Sequence, residues 1–240
     1  MLFGTQDTLM MNRELHFEVL SEDRSGGIVI KTLMERILSE KLSDPFTISV
    51  RPHRGKGRIL PKENALPPPK YSSGLMDLLP AKVKAYDRVF SKRKFILVVV
   101  MDSDANPPNE VFRQLHEICC EYAPSLYHVI GICVEEIEAW LLGDEKAILS
   151  AYPKADISVI RAYSQDSVCG TWEVLARALL HERATSLIRV GYPAVGQYKT
   201  EWGTKIAPFL DHRTNKSQSF RLFEKKLLRE VSSLLEAYEK

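Results

Sequence analysis

Apolar positions along the chain switch repeatedly between a period of two and a helical period, the signature of strands alternating with helices. LHFEVL, Leu15 to Leu20, alternates like a strand. Gly26 and Gly27 then open a helix whose apolar residues Ile28, Ile30, Leu33, Met34, Ile37 and Leu38 mostly follow helical spacing. FTISV, Phe46 to Val50, is a second strand, and a basic loop runs from Arg51 to Arg58. Pro61 to Pro69 is loop, because three consecutive prolines cannot belong to a helix interior. Leu75 to Phe90 is predicted helical, with Pro80 expected to interrupt it or mark a new start.

The run from Phe95 to Met101 is apolar without alternation, as in a strand covered on both faces. Glu110 to Tyr122 is the helix after it, and YHVIGICV, Tyr127 to Val134, a fourth strand. Helical periodicity resumes at Ile137. The pattern predicts a three-layer, Rossmann-like α/β domain with a largely parallel central sheet. After Leu149 the character changes, with helices at Thr171 to Arg183 and Phe220 to Tyr238 and no convincing strand between them. In the last helix Phe220, Phe223, Leu227, Val231 and Leu234 form one stripe, and Lys225, Lys226 and Arg229 lie off it. The expected division is a lead at 1–13, an α/β core at 14–149 and a helical portion at 150–240 packed on that core.

Composition narrows the partners only a little. The chain has 240 residues, 45% hydrophobic and 27% charged, with a net charge of +2, so a nucleic-acid surface would be a local patch. No apolar run reaches membrane-spanning length, and Met1 to Arg13 lacks the basic and apolar regions of a signal peptide. That segment is expected to be a flexible lead. Cys119, Cys120, Cys133 and Cys169 make no C-x-x-C pair, which argues against zinc and disulfide frameworks and fits a reducing cytoplasm. Cys119, Cys120 and Cys133 are read as buried structural thiols, and His116, His128 and His181 as packed or partly exposed.

The candidate chemistry is acidic. Asp102 and Asp104 fall at the end of the most apolar strand, where two aspartates one residue apart on an extended chain can turn toward one point. Glu22 and Asp23 follow the first strand, and Glu135, Glu136 and Glu138 the fourth. Carboxyl ends of parallel strands share one edge, where open α/β sheets bind ligands, so these groups are expected to converge. Converging carboxylates are costly without a cation, and an oxygen cluster suits Mg²⁺ or Mn²⁺ better than zinc. Each group also has a structural reading: Asp23 and Glu135 as helix-dipole partners, and Asp104 with Asn106 as a cap ahead of Pro107 and Pro108. RPHRGKGR places Arg51, His53, Arg54, Lys56 and Arg58 around two glycines. It is no P-loop, but it suits contact with a phosphate backbone, the alternative being a solvated surface loop. Ser25 lacks an identifiable histidine base, and KSQSF reads first as a helix cap by Ser217 or Ser219.

Glutamate after the first strand in LSEDRSGG, followed by a hydrophobic strand ending in Asp-x-Asp, resembles the Toprim pattern of topoisomerases, primases and overcoming-lysogenization-defect nucleases. More closely, LSEDRSGG, PHRGKG, MDSDAN, EEIEAWLLGD and KIAPFLDHRTNKSQSF resemble an uncharacterised prokaryotic family with a divergent Toprim-like core. The resemblance implies that Glu22 is the general acid/base or a metal ligand and that Asp102 and Asp104 bind metal. Glu138 is either a family-specific site residue or a buried helix anchor. Asp23 stands where Toprim domains commonly have glycine. The implied activity is a metal-dependent nuclease on DNA or RNA, an effector of antiphage or plasmid defence with an ATPase encoded nearby as partner; homo-oligomerisation is compatible with it. The rival expectation is a non-catalytic metal- or nucleotide-binding module of an ATPase-containing complex.

Overall fold

A computed structural model describes residues 14–61 and 65–239; the expected lead at 1–13 lies outside the described residues. Strands β1 (Leu15–Ser21), β2 (Phe46–Pro52), β3 (Phe95–Asp102) and β4 (Tyr127–Cys133) form one sheet in the order β2-β1-β3-β4, with every neighbouring pair parallel. β3 is buried along its apolar length, and its side chains alternate between two cores. Ile96, Val98 and Val100 enter one apolar layer, and Phe95, Leu97, Val99 and Met101 the other. A central parallel strand therefore has to read as a continuous apolar run.

Helices α2 (Leu75–Phe90) and α3 (Pro108–Tyr122) supply the second layer, packing on each other over Leu20, Leu97 and Met101. The first layer is built by α1 (Arg24–Lys41) and by helices from the later half of the chain. These are α4 (Glu138–Leu142), α5 (Glu145–Ala151), α6 (Ile157–Ala162), α7 (Thr171–Leu180), α8 (Arg183–Val190), α9 (Ala194–Ile206) and α10 (Gln218–Tyr238). α9 lies on α1 and α10 on β4, so one apolar core runs from Leu15 to Leu234. The stripe expected on the last helix is the one that is buried: Phe220, Phe223, Leu227, Val231 and Leu234.

Several local readings change. α1 starts at Arg24, ahead of the glycines, because Asp23 caps it by accepting from the Gly26 N–H at 2.7 Å. Gly27 sits in its first turn because a Cβ there would meet Val50 Cγ1 at 2.9 Å and Ser21 Oγ at 3.0 Å. Pro80 does not break α2; it falls early in the helix and removes one backbone hydrogen bond. α7 stops at Leu180, where His181 takes a left-handed φ of 53°, and α8 begins after it. Cys119 and Cys133 are buried as expected, but Cys120 is exposed. No helix among the described residues is long and apolar enough to cross a membrane.

Candidate functional site

The order β2-β1-β3-β4 puts a topological switch point between β1 and β3. β1 leads through α1 to β2 on one side, and β3 leads through α3 to β4 on the other. The loops leaving the carboxyl ends of β1 and β3 therefore diverge and leave a crevice, the usual ligand position in such sheets. Glu22 leaves β1 into this crevice and Asp102 ends β3 beside it.

Glu22 is held close to β3: its carboxylate accepts from the Asp102 backbone N–H, which favours the charged form. Burial outweighs that bond, and with repulsion from Asp104 and Asp23 it pushes the Glu22 pKa up to about 7, against an opposing pull from Lys56. Glu22 Oε2 is buried and has no hydrogen-bond partner among the described residues. Asp102 keeps some exposed surface but is packed deep among the converging elements. Burial first, then Glu22, Glu138 and Asp23, raise its pKa well above the carboxylate range, with Lys199 opposing.

Asp104 does not continue the strand. Its φ of 51° is left-handed, so the two aspartates are not presented by an extended chain. Ser103 is fully buried between them and ties β3 to the end of β4, its N–H donating to the Cys133 carbonyl at 2.9 Å and its Oγ accepting from the Glu135 N–H at 2.8 Å. Asp104 is exposed and takes a hydrogen bond of 2.8 Å from Lys56 Nζ. It does not cap α3, whose N-cap position is Pro107; Asn106 bonds the Ser103 carbonyl instead.

The basic loop is clasped rather than free. His53 and Gly55 donate their N–H groups to the Ser21 and Glu22 carbonyls, both at 3.0 Å. The Gly55 and Lys56 carbonyls accept from Leu75 and Met76 at the start of α2. Gly57 has φ 69° and lies against Gly74, so neither position has room for a Cβ. The clasp brings Lys56 to the β3 tip. Arg54 and Arg58 are exposed, and their guanidinium groups have no hydrogen bond or ion pair among the described residues. Arg51 is engaged elsewhere: its Nε donates to buried Glu18 at 2.8 Å, where Tyr86 also donates. His53 Nδ1 lies 2.9 Å from the Ser21 carbonyl and its buried Nε2 is unpartnered, burial lowering its pKa.

The three glutamates after β4 separate by role. Glu135 accepts from the N–H groups of Cys169, Gly170 and Thr171 and from the Thr171 hydroxyl, so it serves the start of α7. Glu136 accepts from the Trp172 N–H at 3.1 Å, and burial raises its pKa to about 7 despite Lys199. Glu138 is completely buried and turns back toward Asp102. Its Oε2 is 3.0 Å from Lys199 Nζ, but neither oxygen has a hydrogen bond of good geometry.

Lys199, on α9, was not singled out by sequence. It is buried, 3.4 Å from Glu136 as well, and bonds the Tyr192 hydroxyl. Burial alone would lower its pKa; Glu138, Asp102 and Glu136 instead raise it well above the lysine range. The signal was a lysine inside the apolar spacing Val195, Lys199, Trp202, Ile206. Asp23 joins the charge cluster, but its two oxygens cap α1 through Gly26 and Ser25. That bond also accounts for Ser25.

EEIEAWLLGD and KIAPFLDHRTNKSQSF pack against each other. Asn215 donates to the Trp140 carbonyl at 2.8 Å, Lys216 N–H to the Gly143 carbonyl at 2.9 Å, and Trp140 Nε1 to Ser219 Oγ at 2.9 Å. Ser217 caps α10 by accepting from Phe220 N–H at 3.1 Å. Apart from Glu138, these segments act as a structural knot.

Glu22 Oε2 and both oxygens of Glu138 are buried without a hydrogen bond among the described residues, and with the Asp102 carboxylate, which the Cys133 thiol bonds, they offer the oxygen donors that suit a hard divalent cation. No three of these carboxylates come within 4.8 Å of one another among the described residues, and Lys199 is paired with Glu138. No protein-family model, curated protein or solved structure matches the chain.

Proposed function

We propose that the β1–β3 crevice is the active centre of a Toprim-like, Mg²⁺- or Mn²⁺-dependent nuclease hydrolysing phosphodiester bonds in DNA or RNA. The observation that carries this is the buried, unpartnered Glu22 Oε2 beside Asp102 at the switch point. Glu22, Asp102 and Glu138 would hold the cation, with Asp104 at the exposed rim; when bound, the ion polarises the phosphodiester and makes water more acidic.

The protein's own groups have distinct roles. In the cation-free crevice the Glu22 pKa is pushed up to about 7; with the ion held, a Glu22 oxygen not bound to it would take a proton from water and return it to the leaving oxygen. Arg54 and Arg58 offer forked donors to the phosphate backbone, and Lys56 neutralises charge at the β3 tip. Contacts of this kind give affinity without sequence specificity. An effector role in antiphage or plasmid defence, beside a nearby-encoded ATPase, accompanies the proposal through the Toprim resemblance. A cytoplasmic setting accords with the free thiols at Cys119, Cys120, Cys133 and Cys169.

The Lys56–Asp104 and Lys199–Glu138 pairs favour a second reading, since they already offset much of the negative charge. In it the crevice binds metal or nucleotide without cutting and the protein serves an ATPase-containing complex. Incubating purified protein with plasmid and with total RNA in Mg²⁺ or Mn²⁺ separates the two. The nuclease reading expects cleavage that disappears in folded Glu22→Gln and Asp102→Asn variants. Retained cation binding with intact substrates, with or without the neighbouring gene product, supports the second.

A further inference from the structure

A second group of donors lies on the opposite layer, away from the acidic crevice. His116 and Cys120 stand one helical turn apart on the outer face of α3, and His128 projects from the neighbouring strand β4. One donor atom from each falls within 4.8 Å of the others, the only such trio of histidine, cysteine or carboxylate donors among the described residues. His116 Nδ1 is 3.1 Å from His128 Nε2, and Cys120 Sγ is 3.8 Å from His116 Nδ1. A tetrahedral zinc with bonds of about 2.0–2.1 Å to nitrogen and 2.3 Å to sulfur places its ligands about 3.3 Å apart (N···N) and about 3.6 Å apart (N···S). The two separations from His116 Nδ1 are within a few tenths of an ångström of both; Cys120 Sγ is also 3.6 Å from His116 Nε2, so the exposed Cys120 side chain turns toward Nδ1 when the ion is held.

The surroundings are those of a ligating histidine. His128 Nδ1 lies 3.1 Å from the Leu126 carbonyl, so the Nδ1 proton is held there and the Nε2 lone pair faces His116 and Cys120. Orientation of this kind by a backbone carbonyl is the usual support for a metal-bound imidazole. Glu230 of α10 lines the same cavity of about 130 Å³, together with Lys226 and Arg229, but stands outside the trio, so the fourth position is left to water.

We propose that His116 Nδ1, Cys120 Sγ and His128 Nε2 form a zinc site, with water completing the tetrahedron. Imidazole and thiolate donors select zinc over the hard cations suited to the acidic crevice. Without metal, His116 Nδ1–H donates to His128 Nε2; on binding, that proton moves to His116 Nε2 and the thiol proton of Cys120 is released to solvent. The ion ties α3 to β4.

The test uses the full chain stripped of metal. Zn²⁺ is added in competition with a chromogenic chelator, and Co²⁺ serves as the spectroscopic probe. Wild type is expected to take up one tightly held equivalent, and its Co²⁺ form to show intense tetrahedral ligand-field bands with a thiolate charge-transfer band. His116 and Cys120 are exposed, so His116→Gln and Cys120→Ser keep the fold and are expected to lose both signals. Asp102→Asn is expected to keep both. Zinc should also shield Cys120 from alkylation while the exposed Cys169 stays reactive. Undiminished uptake in Cys120→Ser, uptake abolished by Asp102→Asn instead, or a Co²⁺ spectrum without thiolate charge transfer would overturn the proposal.

Discussion

Replacing Glu22 by glutamine should stabilise the protein at alkaline pH and leave it nearly unchanged in mild acid. Burial and the neighbouring Asp104 raise the Glu22 pKa from an ordinary 4.5 to about 7. Between those values the native state holds more protons than the unfolded chain, so this group makes stability fall as pH rises. The loss begins near pH 4.5 and is complete above the folded pKa of about 7. Linkage at 1.36 kcal/mol per pKa unit gives a total of at most about 3 kcal/mol, of which about 2 kcal/mol falls between roughly pH 5.5 and 8. Glutamine has the shape of the acid and no charge to desolvate, so the variant should lose that slope. Urea denaturation of both proteins in chelator, at several pH values in this range, reads the difference directly. In thermal melts the gap at the alkaline end should be up to about 6–12 °C for a chain of this size. Saturating Mg²⁺ should narrow it by stabilising wild type alone. An equal stability difference at every pH would refute the convergence of Glu22 with the other carboxylates.

Lys199→Met should destabilise the fold by about 3–5 kcal/mol, because Glu138 is left as a buried charge without its partner. Adding Glu138→Gln should recover part of the loss, and additivity in a double-mutant cycle by chemical denaturation would contradict the pairing. Gly143→Ala should cost at least about 2 kcal/mol in the same assay. Its Cβ would clash with Asn215 Oδ1 and dislodge the asparagine that bonds the Trp140 carbonyl and the Ser217 N–H. Arg54→Ala with Arg58→Ala should weaken nucleic-acid binding uniformly across sequences and flatten its salt dependence, measured by fluorescence anisotropy, whereas Arg51→Ala, removing the partner of Glu18, should act mainly on stability.

The strands and their common direction were legible because β3 is apolar on both faces and alternates with helical segments, the pattern expected of a covered parallel sheet. The stripe on α10 was legible because Phe220 to Leu234 keep a helical period and all pack on the core. Helix ends were less so, since they depend on single bonds such as Asp23 to Gly26 and on the left-handed turn at His181. Placing Glu22, Asp102 and Asp104 beyond strand ends followed from periodicity, but the left-handed backbone of Asp104 and its lysine partner did not. Lys199 escaped notice because it is separated from Glu138 by many residues and its burial is set by how α9 lies on α1. The pairing of His116 with His128 was hidden likewise: the helical spacing of His116 and Cys120 is in the sequence, but the placement of β4 under them is tertiary.

Manganese binding followed by electron paramagnetic resonance tests the shared crevice most directly, using Cys120→Ser protein so that the thiolate cluster does not contribute. One bound Mn²⁺ should be seen with the acidic residues intact, and it should be lost on adding either Glu22→Gln or Asp102→Asn. Undiminished binding in both variants, or loss in only one, would contradict a site built jointly from the ends of β1 and β3.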